Sequence, residues 1–369
     1  MWVITTISFI AIILAYLSQN KKKSKCLEYG FVLLTIIAAI QYGYGTDYMR
    51  YYDLWEVRYN SLDLNDLIHH FFGQTDWTEP GWMLLNTIFG FNYGFFVLVA
   101  VISIVENYIY YRLIKDYVPI RWRWFAVFLY VGLDSLYLLN FSMLRQGLTV
   151  ALFVAAVMLM NIKGNKKGLI IAAALVFFSF TIHRSAVICV PFLVVYFLPL
   201  KKTQNLAVAL LIFTIFIFVF RDVVLSSVKF MFSFEELSWY SGYGRKTLSG
   251  VGMGYVLKMI PNIVILYALL TGTFTNSRER NVIALLAFCD MLITPLQLYG
   301  ADLAGRLGVY FIAFKVAAIP MVFASIKSSG IRSILVAITI FITIVLYIQF
   351  FQIYVEGYSE GYKTIFTVI

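Results

Sequence analysis

Long apolar runs recur along the chain and constrain its fold more than any other feature. Hydrophobic residues make up 61% of the sequence and charged residues only 13%, with a mean hydropathy of +0.83. Runs of roughly 17–25 apolar residues can cross a bilayer as α-helices, and lipid excludes irregular backbone from its core. The sequence therefore predicts an all-α, polytopic membrane protein in which residues 1–369 form a single integral membrane domain.

The apolar runs predict about twelve transmembrane helices, at residues 2–18, 27–43, 94–114, 123–141, 145–162, 168–182, 185–199, 206–221, 253–271, 281–299, 306–325 and 331–350. Basic residues concentrate in alternate loops, which the positive-inside rule assigns to the cytoplasm. Both termini and two long loops, 44–93 and 222–252, are then expected outside, with an interfacial helix near 80–89. Loop placement accounts for the net charge of +10, so this charge does not indicate nucleic-acid binding.

Four charged side chains lie at the outward ends of predicted spans: Arg145, His183, Arg184 and Arg306. A charge at membrane depth is costly and persists where it pairs or lines a wet cavity. Arginine binds phosphate oxygens through paired hydrogen bonds, and histidine exchanges a proton near neutral pH. The set predicts a site for a diphosphate group. Local roles are the alternative: snorkelling arginines, a structural histidine, and an Arg306–Asp302 salt bridge.

The first long loop opens with Gly45-Thr46-Asp47-Tyr48, and Tyr51 follows. Gly45 permits a tight turn, and the Asp47 carboxylate is suited to accept sugar hydroxyls or to orient a catalytic group. The alternative is a helix-capping Thr-Asp pair with interfacial tyrosines.

Aromatic residues, among them Trp239 and Tyr240, also fill the second long loop. Aromatic faces stack on sugar rings, so both loops offer candidate sugar-binding residues: Tyr48, Tyr51, Trp239 and Tyr240. An interfacial aromatic belt explains the same composition.

Glu106 and Asp290 lie inside predicted spans. Carboxyl groups in such positions relay protons in transporters, which keeps transport open as a function. The simpler interpretation is an interhelical hydrogen bond from a neutral or paired acid.

Five short motifs occur in order, each beside a span: Gly45-Thr46-Asp47-Tyr48 with Tyr51, Glu79-Pro80-Gly81, Arg145-Gln146, His183-Arg184-Ser185-Ala186, and Arg306 with Tyr310-Phe311. In this order and spacing the chain resembles the EpsG-like branch of the Wzy-type bacterial polysaccharide polymerases, over nearly its whole length. The resemblance implies a GT-C-like glycosyltransferase or ligase architecture. By analogy with related glycan ligases, it also implies a reaction without metal or cofactor.

The resemblance implies that a growing glycan is transferred from undecaprenyl diphosphate to the terminal sugar of an incoming lipid-linked repeat unit, at the outer face of the bacterial inner membrane. The product is O-antigen, capsule or exopolysaccharide. His183, or alternatively Asp47, takes the proton from the acceptor hydroxyl, while Arg145 and Arg306, with Arg184 as a further candidate, bind the diphosphate. The expected partners are lipid-linked oligosaccharides, membrane lipids and a chain-length-regulating copolymerase. An O-antigen ligase, a lipid-linked oligosaccharide flippase or other transporter, and a membrane O-acyltransferase are the competing functions.

Overall fold

The structure is a computed structural model that describes residues 2–58, 79–133, 136–163, 166–193, 200–220, 223–224, 226–227, 253–274, 277–293, 301–355 and 362–367. Its helices are α1 Trp2–Leu17, α2 Cys26–Ala39, α3 Thr46–Val57, α4 Pro80–Ile88, α5 Gly94–Tyr117, α6 Arg123–Gly132, α7 Leu136–Ser142, α8 Leu144–Lys163, α9 Lys166–Ile182, α10 Leu200–Val219, α11 Met253–Leu270, α12 Arg278–Ile293, α13 Ala301–Ser325 and α14 Ser329–Val355. A 3-10 helix, Arg184–Cys189, and one helical turn, Val190–Leu193, follow α9. Two short strands, β1 Gln41–Tyr42 and β2 Lys363–Thr364, pair antiparallel. The all-α prediction is confirmed.

Several of these helices have the length and composition of membrane spans. Within the described residues three satisfy both criteria, Gly94–Tyr117, Gly305–Ser325 and Ser329–Gln349, and α6 with α7 adds a fourth if this pair, bent by 42°, is one span. The Ser329–Gln349 segment is strongly apolar, yet only 22% of its most apolar window is buried. Such an exposed apolar surface is suited to lipid contact. The membrane character is supported, whereas the count of about twelve spans stays a prediction.

The chain divides into two compact units, Met1–Leu193 with Thr343–Ile369, and Val194–Ile342. In the first unit α2 packs against α1 and α5, α8 packs against α5 and α9, and α4 lies against α9. Buried apolar side chains from α3, α4, α5 and α8 form one cluster with Ile182, so this cluster includes the start of α8 and the end of α9. This arrangement positions the candidate site.

The second unit is built around α12, which contacts α10, α11 and α13. Every residue from Asn281 to Asp290 is buried. A helix that is apolar on all sides is typical of the centre of a bundle.

The two predicted long loops are described only in part. The first contains α3 and α4, while residues 59–78 lie outside the described part of the chain. Trp82 and Met83 of α4 are buried against the rest of the unit, so this helix is packed on protein, and its predicted position at the membrane interface stays a prediction. Most of 222–252, including Trp239 and Tyr240, also lies outside the described residues.

Candidate active site

The Glu79-Pro80-Gly81 motif starts α4 and fixes where this helix packs. Pro80 occupies the first helical position, where its fixed φ fits and its missing N–H costs nothing. A Cβ on Gly81 would clash with the Thr181 side-chain oxygen and lie 2.9 Å from the Thr181 carbonyl carbon, so only glycine permits this approach to α9. The close packing places Glu79, which precedes α4, beside the residues that follow Thr181.

Glu79 forms an ion pair with Arg145 in the first turn of α8. The Nη1 group of Arg145 donates to Oε2 of Glu79 at 2.6 Å, and the two side chains are 25% and 11% exposed. Glu79 makes no helix-capping bond with its side chain, so the carboxylate points to the arginine instead. A cation at a helix N-terminus opposes the helix dipole, whereas an anion there is favoured. The carboxylate therefore offsets an otherwise unfavourable position of Arg145.

His183 lies on the other side of the same carboxylate. Its Nδ1 is 3.9 Å from Oε1 of Glu79, beyond hydrogen-bond range. The Ser185 backbone N–H points to the same Nδ1 at 3.4 Å, a long contact that suits the opposite tautomer. The Ser185 hydroxyl lies at the same distance of 3.4 Å, so both Ser185 groups are closer to Nδ1 than the carboxylate is. Glu79, Arg145 and His183 thus form one cluster, named here the Glu–Arg–His cluster.

The Tyr51 ring of α3 lies under the Arg145 guanidinium, whose carbon is 5.1 Å from the ring centroid. Tyr51 also packs against Trp82 of α4, with ring centroids 5.4 Å apart. A cation over an aromatic face is attracted to it, most strongly where water is excluded. Arg145 is therefore stabilised by two contacts, an ion pair with the Glu79 carboxylate and a cation–π contact with the Tyr51 ring.

Tyr48, a predicted sugar-binding residue, lies deeper in the same unit. It is fully buried, and its hydroxyl donates to the Gln41 carbonyl at 3.2 Å. Burial raises the pKa of the Tyr48 phenol well above its usual range, so the hydroxyl remains a donor. Its ring presents no face to solvent in this structure. Its sugar contact stays a prediction, and Tyr51 is the tyrosine of this motif that reaches the cluster.

The other predicted site residues have different surroundings. Asp47 is half-buried in the first turn of α3, which begins after Gly45, and its backbone N–H faces the Ser142 hydroxyl at 3.5 Å. Arg184 is exposed at the start of the 3-10 helix. Arg306 is partly buried on α13 in the second unit, and its predicted cooperation with Arg145 stays a prediction. The Asp302 side chain, the predicted salt-bridge partner of Arg306, lies outside the described side chains.

Glu79 was not among the residues predicted to act in the site. Its motif contributed only to the family resemblance, although one signal was present in the sequence. Glu79 directly precedes a Pro-Gly helix start, and it lies between an acidic loop and an apolar segment. This pattern predicts a carboxylate at a membrane boundary, where an unpaired charge is costly.

Among the described residues, the carboxyl groups of Asp290 and Glu106 are also buried. Asp290 pairs with Lys315 at 2.5 Å, and the Asn262 amide donates to it at 3.3 Å, so Asp290 holds three helices of the second unit together. These contacts agree with the interpretation of Asp290 as a paired acid, and its partner Lys315 was not predicted from the sequence. Glu106 is fully buried, and its carboxyl contacts the backbone of α8 where a Cβ on Gly147 would lie 2.6 Å from Oε1.

Three of the described helices are long and apolar enough to cross a membrane, and a charged cluster lies where α8 begins and α9 ends. These features define the class as a membrane protein with a polar site in its first unit. The family model described as the EpsG family matches residues 25–363, nearly the whole chain, and the protein belongs to this family. No curated protein and no solved structure matches the chain. Membership supports a polysaccharide polymerase-like role in a membrane.

Proposed function

We propose that the protein polymerises lipid-linked oligosaccharide repeat units by transferring the growing glycan from undecaprenyl diphosphate to the terminal sugar of an incoming unit. The observation that supports this most directly is the Glu–Arg–His cluster. The cluster brings together residues from three of the motifs on which the family resemblance rests. These motifs are separated by up to about a hundred residues in the sequence. A family that builds polysaccharide requires a glycosyl donor site, and a cation beside a proton acceptor is the chemistry that such a site needs.

In the proposed reaction, His183 takes the proton from the acceptor hydroxyl as this oxygen attacks the anomeric carbon. For Nε2 to be the basic nitrogen, Nδ1 has to carry the proton and to exchange the Ser185 N–H for the Glu79 carboxylate. Glu79 then balances the positive charge that the ring gains. The Nδ1–Glu79 separation of 3.9 Å has to shorten for a hydrogen bond to form. Shortening of this kind on substrate binding is common in catalytic sites.

Arg145 is proposed to stabilise the negative charge that grows on the departing diphosphate. A guanidinium has five N–H donors, so it can bind phosphate oxygens while one nitrogen remains bound to a carboxylate. The N-terminus of α8 also favours an anion at this position, through its free backbone N–H groups and the helix dipole. Arg306 and Arg184 are further proposed diphosphate ligands, and the site is proposed to face the exterior of the bacterial inner membrane.

Complementation of a strain that lacks the gene tests the function in cells. Arg145→Ala, His183→Ala and Arg306→Ala are each expected to retain normal membrane abundance, to lose long chains and to leave single capped repeats. Arg145→Lys should also fail, because an ammonium cannot reproduce the paired hydrogen bonds of the guanidinium fork. Arg112→Ala is the matched control, since Arg112 is an arginine whose partner Asp116 lies one turn away on the same helix. Normal polymer from all three site variants would remove these residues from the chemistry.

The products also separate the competing functions. Loss of a polymerase leaves single repeats on the acceptor, whereas loss of a ligase leaves long chains on the lipid carrier. Loss of a flippase leaves lipid-linked units on the cytoplasmic face. The polymerase is favoured over a transporter because membership of the EpsG family supports a polysaccharide polymerase-like role.

A further inference from the structure

We propose that residues 362–367, named here the clasp segment, position α3 so that Tyr51 supports Arg145 during the reaction. The proposal rests on the proposed function, and it assigns a role in that reaction to a part of the chain that carries no polar site residue. The clasp segment is separated from α3 by about three hundred residues in the sequence, yet both belong to the first unit.

The clasp segment is attached to the end of α2 by several hydrogen bonds. Its strand β2 pairs with β1, and the Ile365 N–H extends the pairing by donating to the Ile40 carbonyl at 2.9 Å. The Tyr362 hydroxyl donates to the Ile37 carbonyl at 2.6 Å. A two-stranded ribbon of this length is marginal alone, so these additional bonds decide whether it forms.

The strand to which the clasp segment binds leads directly into α3. Gly43 and Gly45 lie between β1 and α3 with φ of 65° and 91°, and glycines in this region of φ give the backbone much freedom. β1 restricts that freedom because its Gln41 carbonyl accepts the Tyr48 hydroxyl, and its Tyr42 ring packs on Tyr48 at 6.0 Å. The position of α3 thus depends on an ordered β1.

The clasp segment also contacts the buried apolar cluster of the first unit. The Ile365 side chain packs against the apolar cluster that contains Tyr51 and Trp82. Since the Tyr51 ring is 5.1 Å from the Arg145 guanidinium, a shift of α3 changes the surroundings of the cation directly. Misplacement of a catalytic group by about 1 Å can cost roughly 10²-fold in rate.

The test removes one backbone donor of the clasp segment and measures order and activity separately. Ile365→Pro deletes the N–H that binds the Ile40 carbonyl, whereas the matched Ile365→Val retains this donor and most of the apolar contact. Phe366→Ala is a second control, since this side chain is 73% exposed. Hydrogen exchange of the reconstituted protein should become about fivefold faster across residues 43–52 in the proline variant alone, as expected for the loss of one hydrogen bond, and stay unchanged in α12.

The second measurement is the rate of polymer formation by the same preparations. Ile365→Pro is expected to slow it about 10- to 100-fold. Ile365→Val and Phe366→Ala should retain it. If the clasp segment acts through α3, Ile365→Pro combined with Tyr51→Leu loses no more activity than the more severe single variant, whereas a general loss of stability multiplies the two effects.

Unchanged exchange in Ile365→Pro would overturn the proposal, as would normal polymer from a variant whose residues 43–52 exchange faster. Multiplying effects in the double variant would overturn it too. A wild-type preparation that makes no polymer contradicts the proposed function instead, and the exchange result then decides by itself whether the clasp segment orders α3.

Discussion

Replacing Glu79 with glutamine tests the Glu–Arg–His cluster most selectively, because it removes one charge while keeping the size of the side chain. Arg145 then stays at the N-terminus of α8 without the carboxylate that offsets the helix dipole, and Nδ1 of His183 loses its charged neighbour. We therefore expect Glu79→Gln to impair both residues at once.

The size of the effect follows from the exposure of the pair. Removing one partner of a fully buried ion pair costs about 3–5 kcal/mol, but Arg145 is 25% exposed, so solvent screening lowers the expected loss of stability to about 1–3 kcal/mol. Loss of preorganised charge in a catalytic site typically lowers the rate about 10²–10³-fold. The rate should thus fall much more than the folded fraction does.

The assay compares polymer formation and thermal unfolding of purified Glu79→Gln with those of Asp116→Asn. The control also removes the carboxylate of an arginine pair, Arg112–Asp116 at 2.9 Å, but its side chains are 40% and 29% exposed. Its loss should cost about 0–1 kcal/mol and leave the rate unchanged. Glu79→Gln polymer at the wild-type rate would refute the assignment, and so would a rate loss fully explained by a lower folded fraction.

Three further sets of substitutions test the packing of α4, the Tyr51 ring and the Asp290–Lys315 pair. Gly81→Ala should displace α4 and abolish polymer formation. Gly330→Ala is the control, because an added Cβ there meets nothing within 4 Å, and it should leave abundance and activity unchanged. Normal polymer from Gly81→Ala would contradict the close packing of α4 on α9. Tyr51→Phe should retain the cation–π contact, whereas Tyr51→Leu should lose its free energy of about 1–2 kcal/mol. The measurement is the apparent affinity for the lipid-linked donor, which should be weaker in Tyr51→Leu alone. Equal affinities would exclude a role for the ring. Lys315→Met should destabilise the protein in detergent by about 3–5 kcal/mol, and Asp290→Leu combined with it should recover most of that loss; a single variant as stable as wild type would show that the pair is not buried as described.

Much of the helical architecture could be predicted because long apolar runs can be read directly from the sequence. Apolar runs of the right length predicted helices at most of the positions where the structure has them, including α5 and α13. The glycine turn before α3 and the helix after Glu79 were also expected from local residue chemistry. The break between α6 and α7 was not, because both halves are continuous in hydropathy.

The partners of the charged residues could not be predicted. Arg145 was expected to contact a diphosphate, and the carboxylate that binds it in the structure is 66 residues away in the sequence. Lys315 likewise reaches Asp290 from a neighbouring helix. Pairings of this kind depend on how helices pack, and hydropathy contains no information on which faces meet. The position of the clasp segment beside α2 depends on backbone bonds that no side-chain pattern marks.

We propose that this chain by itself joins lipid-linked repeats and does so with the Glu–Arg–His cluster. The most direct measurement gives purified wild-type and His183→Ala proteins, in vesicles and without an energy source, a defined undecaprenyl-diphosphate-linked repeat unit, and resolves the products by size. We expect a ladder of chain lengths from the wild-type protein and single units from an equally folded His183→Ala. Single units from both proteins, or the same ladder from both, would contradict this proposal.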